Sequence, residues 1–445
     1  MIESILTRSS APVFRRLVPT IPFARQGVLA LGIRLACAGA ILALQISLAR
    51  VLGPSGYGEY AFVLAWLQLI LIFAQVGFST AALRYVAEYR ARHQPALVRG
   101  FLRRSSQITL LVSITLALFM AGCAIALRDS MSAGSLRSFL VASAALPVLS
   151  QFMLGSAVVR GLGHVIVDML VSLAQPLLIL SALFIAAHVL RFQITASEAL
   201  LLYLGAAIAS LAMVFGLRRR FERDLHAESQ RDFLTGEWLG TATQMMFASS
   251  LIYLQGRTGV IITGLLLDAP AAGTYAAMER LADATLLGLT SVNLLAAPKF
   301  AALYAQQRWV ELQRYARMAA WGASGFMLAT VIPLVLFGKP ILRLFGNDFV
   351  SGYPVLLILL GGVAVNAMCG SVGLLLNMTG HQFQLLLVAS SSLCINLILS
   401  LLLIPRYGII GTSAAFAVSM AVWNIAMLLI VRRRLGISPC IGPVR

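Results

Sequence analysis

The chain has 445 residues, is 60% hydrophobic and only 11% charged, and its mean hydropathy is +0.89. So little polar surface cannot cover so much apolar surface, which excludes a soluble domain. The net charge of +18 does not mark a nucleic-acid binder, because the cations stand in short clusters between apolar runs. That pattern orients membrane helices and meets anionic lipid, so membrane lipids are expected partners and nucleic acid is not.

Residues 1–26 form a basic, proline-bearing stretch with Arg8, Arg15, Arg16 and Arg25. The Arg15-Arg16 pair resembles a twin-arginine signal. The apolar run behind it is too long for a signal-peptide core and more runs follow, so an uncleaved cytoplasmic tail is expected. Runs of about 20 apolar residues then recur along the chain. They predict an all-α polytopic membrane protein of twelve helices, near 27–52, 60–83, 107–127, 138–160, 165–190, 197–217, 239–267, 273–298, 317–338, 353–378, 383–405 and 411–431. The segment 218–237 is the longest charged stretch and reads as a cytoplasmic linker. It divides a six-helix bundle at 27–217 from a second at 238–432, with a cytoplasmic tail at 433–445.

The positive-inside test fits this count. With the N-terminus cytoplasmic, most of the 34 Lys and Arg fall on cytoplasmic segments, and both termini lie on that side. Six helices return the chain to its starting side, so the halves have parallel topology. A repeat supports the division. Gly58 and Tyr60 recur as Gly273 and Tyr275, and Ala81, Ala82, Ala87 and Tyr89 recur as Ala296, Ala297, Ala302 and Tyr304, at a constant offset of 215 residues. Arg84-Tyr85 becomes Lys299-Phe300, again a cation followed by an aromatic ring. Internal repeats of transporters place the working site between the copies.

The stretch LGPSGYGEY (Leu52 to Tyr60), with RYVAEY (Arg84 to Tyr89) downstream, resembles the first signature of the polysaccharide-biosynthesis flippases. These are the Wzx-type branch of the multidrug/oligosaccharidyl-lipid/polysaccharide superfamily. LFGNDFVSGYPVL (Leu344 to Leu356), LLNMTGH (Leu375 to His381) and LLIPRYGIIGTSAA (Leu402 to Ala415) resemble that family's C-terminal half. The resemblance implies a MATE-like fold and a flippase of the bacterial cytoplasmic membrane. It implies alternating access, no bound cofactor, and a polyprenyl-diphosphate-linked oligosaccharide as substrate, with glycosyltransferases and a glycan polymerase as pathway partners and a proton or sodium ion for coupling.

Intramembrane charge points to the candidate site. Helix seven carries Arg257; helix eight carries Glu279, Arg280 and Asp283 at comparable depth. Glu279 and Asp283 are four apart and share a face. A lone charge in hydrocarbon costs a few kcal/mol or more, about 3 on insertion scales, so these groups face one another or water. They form either a structural ion pair or a site for a coupling cation or the diphosphate. Arg34 on helix one either snorkels to the surface or lines the cleft facing the second half. Arg34, Arg257 and Arg280 are the diphosphate candidates, because the guanidinium fork matches phosphate oxygens. Glu279, Asp283 and Asp168 are the ion-coupling candidates, although Asp168 also reads as an interfacial partner of Arg160 and His164. Arg84, Tyr85, Lys299 and Phe300 are candidates for gating, against plain headgroup anchoring.

Other polar groups carry less. Gly53, Gly56 and Gly58, with Pro54, are expected in a tight outer turn. Tyr57 and Tyr60 are expected in the interfacial aromatic belt. Gln68, Gln75, Gln151, Gln175, Gln244 and Gln255 are expected to bond between helices. Pro147, Pro176 and Pro333 are expected to kink helices. Cys37, Cys123, Cys369, Cys394 and Cys440 lack metal-ligand spacing and read as small buried hydrophobes. No phosphate-binding loop, HExxH or nucleophile elbow appears, so an enzyme is not expected. A cation-coupled multidrug antiporter on the same fold is the rival reading. A membrane polymerase or ligase is a weaker one, because the outer loops are short.

Reporter fusions after Arg137 or Lys339 are expected outside, and those after Arg92 or Arg314 inside. A reversed signal at any of these sites refutes the twelve-helix count.

Overall fold

In a computed structural model, the structure describes residues 23–190, 192–222 and 232–439. Arg8, Arg15, Arg16, Cys440, His226, residues 223–231 of the expected linker and the end of the C-terminal tail lie outside them. The first half contains α1 (Phe23–Ala74), α2 (Phe78–Ala91), α3 (Pro95–Ala126), α4 (Ala133–Gly161), α5 (Val165–Phe184) and α6 (Ala196–Glu222). The second contains α7 (Thr235–Leu266), α8 (Ala269–Thr285), α9 (Leu287–Ala305), α10 (Trp309–Leu336), α11 (Gly338–Leu342), α12 (Tyr353–Cys369), α13 (Val372–Met378), α14 (Gln382–Tyr407) and α15 (Ile409–Leu435). No strand occurs among the described residues.

Nine of these helical segments are long and apolar enough to cross a membrane. The first is continuous only in outline. Gly53 leaves the helical region at φ 66° and ψ 177°, and Pro54 opens a new helix. Proline suits that position because its missing N–H is unpaired there anyway. The Tyr57 hydroxyl donates to Gln45 Oε1 at 2.8 Å. A straight helix would hold those residues about 18 Å apart, beyond their joint reach. So α1 is a hairpin of two arms. α7 carries too many polar groups to score as a span, and α8 and α9 are separate helices meeting at Leu286.

Several boundaries differ from the sequence expectation. LGPSGYGEY is helical from Pro54 onward, and only Gly53 makes the turn. Gly56 and Gly58 are helical, and Tyr57 and Tyr60 are 1% and 2% exposed, not in an interfacial belt. The second predicted helix breaks at Gln75–Gly77, where Val76 and Gly77 have φ of 50° and 77°. α3 and α10 begin well before 107 and 317, so Arg99, Arg103, Arg104 and Arg314 ride on helices. A helix need not stop where the hydrocarbon does, because water satisfies its side chains beyond. For the same reason α6 continues through Arg218, Arg219 and Arg220. The tenth predicted helix divides into α12 and α13 at Gly370, whose φ is 72°. Pro147, Pro176 and Pro333 lie inside helices as expected. Cys123 and Cys394 are exposed, not buried, on faces available to lipid.

The repeat is present in the backbone. Gln94 N–H bonds to Tyr89 O at 2.9 Å across His93 (φ 54°); Arg308 N–H bonds to Leu303 O at 3.0 Å across Gln307 (φ 57°). This turn is one residue out of step with the 215-residue offset. Later, His164 N–H bonds to Val159 O across Gly163 (φ 91°), and His381 N–H to Leu376 O across Gly380 (φ 81°). Both Gly-His pairs end a helix by the same left-handed turn.

The halves meet where the repeat motif meets its own copy. A Cβ built on Gly58 would overlap the Ala269 carbonyl and lie 2.8 Å from Gly273 N. A Cβ built on Gly273 would overlap the Pro54 carbonyl and lie 2.8 Å from Gly58 N. Pro54 and Ala269 carry the same 215-residue offset, so the contact is reciprocal, as a local two-fold relation requires. It uses small residues four apart, the pattern that lets membrane helices approach backbone to backbone. Gly58→Ala and Gly273→Ala are each expected to cost about 1–3 kcal/mol, read as a lowered Tm in detergent. Gly122, with open space where its Cβ would go, is the control. Equal Tm values for Gly58→Ala and Gly122→Ala refute the contact.

Candidate functional site

The second arm of α1 and the helix α8 meet at that crossing, and α7 and α8 carry the charged residues beside it. Arg257 Nη1 lies 2.9 Å from Glu279 Oε2 and 3.7 Å from Asp283 Oδ2. The matched depth expected from sequence thus becomes a three-member cluster. The Tyr253 ring, one turn before Arg257, lies 5.8 Å from its guanidinium. The Arg257 and Glu279 side chains are 17% and 5% exposed, while Asp283 is 45% exposed and faces open space. Glu279 Oε1 and the Tyr275 hydroxyl are buried with no hydrogen-bond partner among the described residues. Gly259 makes room for Tyr275, since a Cβ there would strike its ring.

The charge of Arg280 acts on Tyr57, Tyr60, Tyr203 and Tyr253, and also on Glu279 and Asp283. Arg280 forms no salt bridge among the described residues. Arg257, Glu279, Arg280 and Asp283 balance in sign, yet they are unevenly spent. Arg257 lies within ion-pair distance of both carboxylates, and Arg280 of neither.

A cavity of about 330 Å³ adjoins these tyrosines. It lies between α1, α2, α4, α5 and α6 of the first half and α7 of the second. No charged side chain lines it; Gln68, Gln75, Gln175, Tyr203 and Tyr253 are its main polar groups. The Tyr253 hydroxyl donates to Gln68 Oε1 at 2.5 Å, which joins the halves. Gln151 and Gln255 bond to Ser106 and Ser392 on neighbouring helices, as expected for membrane packing. Gln175 departs from that role: it has no hydrogen-bond partner among the described residues and opens on the cavity. Tyr203, which sequence reasoning did not single out, lies beside it. The signal available was only a set of amides inside apolar runs.

The remaining candidates are dispersed. Asp168 accepts from Ser156 and lies 3.4 Å from Arg160 Nε, at the turn between α4 and α5. It does not join Glu279 and Asp283. Arg34 is half-buried and has no contact with the Arg257 cluster among the described residues. One turn later, the Cys37 thiol reaches the Ser172 carbonyl of α5 at 3.8 Å, so this face of α1 meets its own half. The four gating candidates are unequal. Arg84 is exposed and pairs with Glu88 at 3.8 Å. Tyr85 is buried and meets Thr241 Oγ1 of α7 at 2.9 Å. Lys299 is exposed, while Phe300 is buried against Tyr315 within the second half. Sequence reasoning missed the partner of this seam, Trp238. Its indole N–H donates to the Tyr89 hydroxyl at 2.8 Å, and its ring stands edge-on to Phe101 at 5.3 Å.

This is a multi-pass, two-bundle transporter fold with polar groups buried where the bundles meet. Its solved counterparts agree. A multidrug resistance MATE family transporter of the MOP superfamily, in an inward-facing conformation, superposes with TM-score 0.78 at 14% identity, covering 92% of this chain and 98% of that one. The lipid II flippase MurJ, in an inward closed conformation, does so with TM-score 0.68 at 13% identity, covering 90% and 87%. A MOP superfamily transporter from Pyrococcus furiosus, whose description notes a reverse polarity of the binding pocket, gives 0.64 at 16% identity, covering 93% and 95%. No curated protein matches the sequence. The family model for polysaccharide biosynthesis proteins matches residues 35–303, and the chain belongs to that family.

Removing one partner of a buried ion pair strands the other's charge and costs about 3–5 kcal/mol. Here the arms differ. Glu279→Ala leaves Arg257 with Asp283, whereas Arg257→Ala leaves two carboxylates side by side. Arg257→Ala is therefore expected to lower the Tm in detergent more than Glu279→Ala, and Arg257→Leu with Glu279→Leu to recover part of the loss. The reverse order of the two single variants refutes the cluster as drawn.

Proposed function

We propose that this protein is an alternating-access flippase that carries a polyprenyl-diphosphate-linked oligosaccharide, the precursor of a cell-surface polysaccharide, across the bacterial cytoplasmic membrane. The observation that carries the reading is how the buried charges are spent. An exporter of hydrophobic cations needs free carboxylates, and here Arg257 engages both Glu279 and Asp283. A diphosphate needs a free cation, and Arg280 has no carboxylate pair among the described residues. Family membership and the fold shared with a lipid II flippase support the same substrate class.

In this reading the polyprenyl tail stays in lipid while the head enters between the bundles. Arg280 offers two N–H donors to the diphosphate oxygens, a geometry lysine lacks. Arg257 becomes available in proportion as Glu279 or Asp283 takes up a proton or binds a sodium ion in its place. Cation binding and diphosphate binding then affect each other equally, as linkage requires. Arg34 would act nearer the arginine-rich surface, on the headgroup's way in. Both termini are cytoplasmic in this proposal, where glycosyltransferases build the substrate and from which it leaves toward a polymerase.

The test is proteoliposomes holding a fluorescent polyprenyl-diphosphate disaccharide, with dithionite quenching the outer leaflet. Protein-dependent loss of protected signal is expected. Arg280→Ala should slow it by about tenfold or more, the worth of a charge-assisted hydrogen bond, and Arg280→Lys should restore part of the rate. Efflux of ethidium without movement of the glycolipid establishes the antiporter in its place.

A further inference from the structure

The two halves have been equipped differently at matched positions. Asp283 on α8 corresponds, at the 215-residue offset, to Gln68 on the second arm of α1. Glu279 and Arg280 correspond to Leu64 and Ala65. Among the described residues, the Arg257, Glu279 and Asp283 cluster at the centre therefore belongs to the second half. The first half answers with a cavity of about 330 Å³ whose lining includes three primary amides and no charge. We infer that this cavity is the subsite for an uncharged sugar, the residue that sits next to the diphosphate. The proposal rests on the flippase reading and adds to it which class of sugar the protein accepts.

Three features support it. The first is unspent hydrogen-bonding capacity. Gln68 uses its Oε1 on Tyr253, and among the described residues its amide N–H groups have no partner. Gln75 Oε1 accepts from Ser79, and among the described residues its Nε2 has only the Met153 sulfur, a weak acceptor, at 3.0 Å. Gln175 has no partner among the described residues. In a membrane protein, amides left over in this way must meet water or ligand. A carboxamide donates and accepts at one end, and so does each sugar hydroxyl, so the pairing is complementary without any charge. The second is the aromatic wall. Tyr203 and Tyr253 add ring faces that the C–H face of a pyranose covers well. The third is placement. Tyr253, which lines the cavity, has its ring 5.8 Å from the Arg257 guanidinium, so a diphosphate at the charged cluster puts the first sugar at the cavity mouth. The volume is at the small end of ligand pockets, enough for a sugar ring and not for a whole oligosaccharide. Distal sugars then extend into water, and discrimination falls on the proximal one. A uronic acid in the cavity would bring an anion among amides with no cation to pair it, and would lose by desolvation.

Gln175 is the residue to change, because its side chain supports no neighbour. The probes are three farnesyl diphosphate compounds: sugar-free, linked to N-acetylglucosamine, and linked to glucuronic acid. Binding is measured on the full chain in lipid nanodiscs by intrinsic tryptophan fluorescence, with calorimetry as the second readout. The N-acetylglucosamine compound is expected to bind about tenfold tighter than the other two, the worth of a net hydrogen bond or two. Gln175→Ala should remove that advantage and leave sugar-free binding unchanged. Gln175→Arg should reverse the preference toward the glucuronate compound, a gain that a misfolded variant cannot show. Equal binding of all three compounds by the wild type, with Gln175→Ala also equal, overturns the sugar subsite and leaves the flippase reading standing. Absence of binding by all three overturns both.

Discussion

The architecture depends on the backbone contact between the second arm of α1 and α8. Apolar side chains cannot drive helices together in lipid as they do in water, because the tails are equally apolar. Association rests on close packing, and Gly58 against Gly273 provides the closest kind. Each glycine fills the space that a side chain on the other would need. The contact is reciprocal because both sides come from the same motif. Once these two helices touch, the hairpin of α1 and the neighbouring α7 are held together, and the charged cluster on α7 and α8 is set beside the crossing. The halves also meet beyond these glycines, where α8 runs along α1 and α7 packs on α1, α2 and α3.

Polar side chains then decide what the space between the bundles can hold. A buried charge in hydrocarbon needs a partner or water, and the second half meets that need internally through Arg257, Glu279 and Asp283. The first half has replaced charge by amide at the matched place, Gln68 for Asp283. The result is a centre with two chemistries, one ionic and one neutral, joined by the Tyr253–Gln68 bond. At the arginine-rich end the seam is aromatic. Trp238 from α7 is fully buried among residues of α2 and α3, and Tyr85 reaches Thr241 across the same seam. Tyr89, part of the repeated motif, works here as a receptor for the indole, a use its conserved spacing with Tyr304 did not disclose.

Much of this was legible from the sequence, for reasons that can be named. Hydropathy runs and arginine placement respond to the bilayer itself, which acts on every segment in the same way, so the helical class and the two-half division followed from them. The repeat was legible because glycine and tyrosine at fixed spacing are rare in an apolar chain. Charges on sequence-adjacent helices had to be paired, so Arg257 with Glu279 and Asp283 was accessible to reasoning. The turn at LGPSGYGEY was misplaced because glycine and proline mark both turns and helix starts. Which one occurs depends on φ at a single residue, Gly53. Tyr57 and Tyr60 were misplaced with it, since a helix beginning at Pro54 carries them inward.

By itself, then, the sequence determined the solvent this protein lives in, its helical class, its duplication and one ion pair, because each follows from local composition against a fixed environment. The tertiary structure alone decided which groups remain unpaired. Arg280 and Gln175 read from the sequence like any other arginine or glutamine in a helix. Among the described residues Arg280 has no ion-pair contact and Gln175 no hydrogen bond, which depends on residues far away in the chain, and that shortage is what turns a packing side chain into one that can hold a ligand.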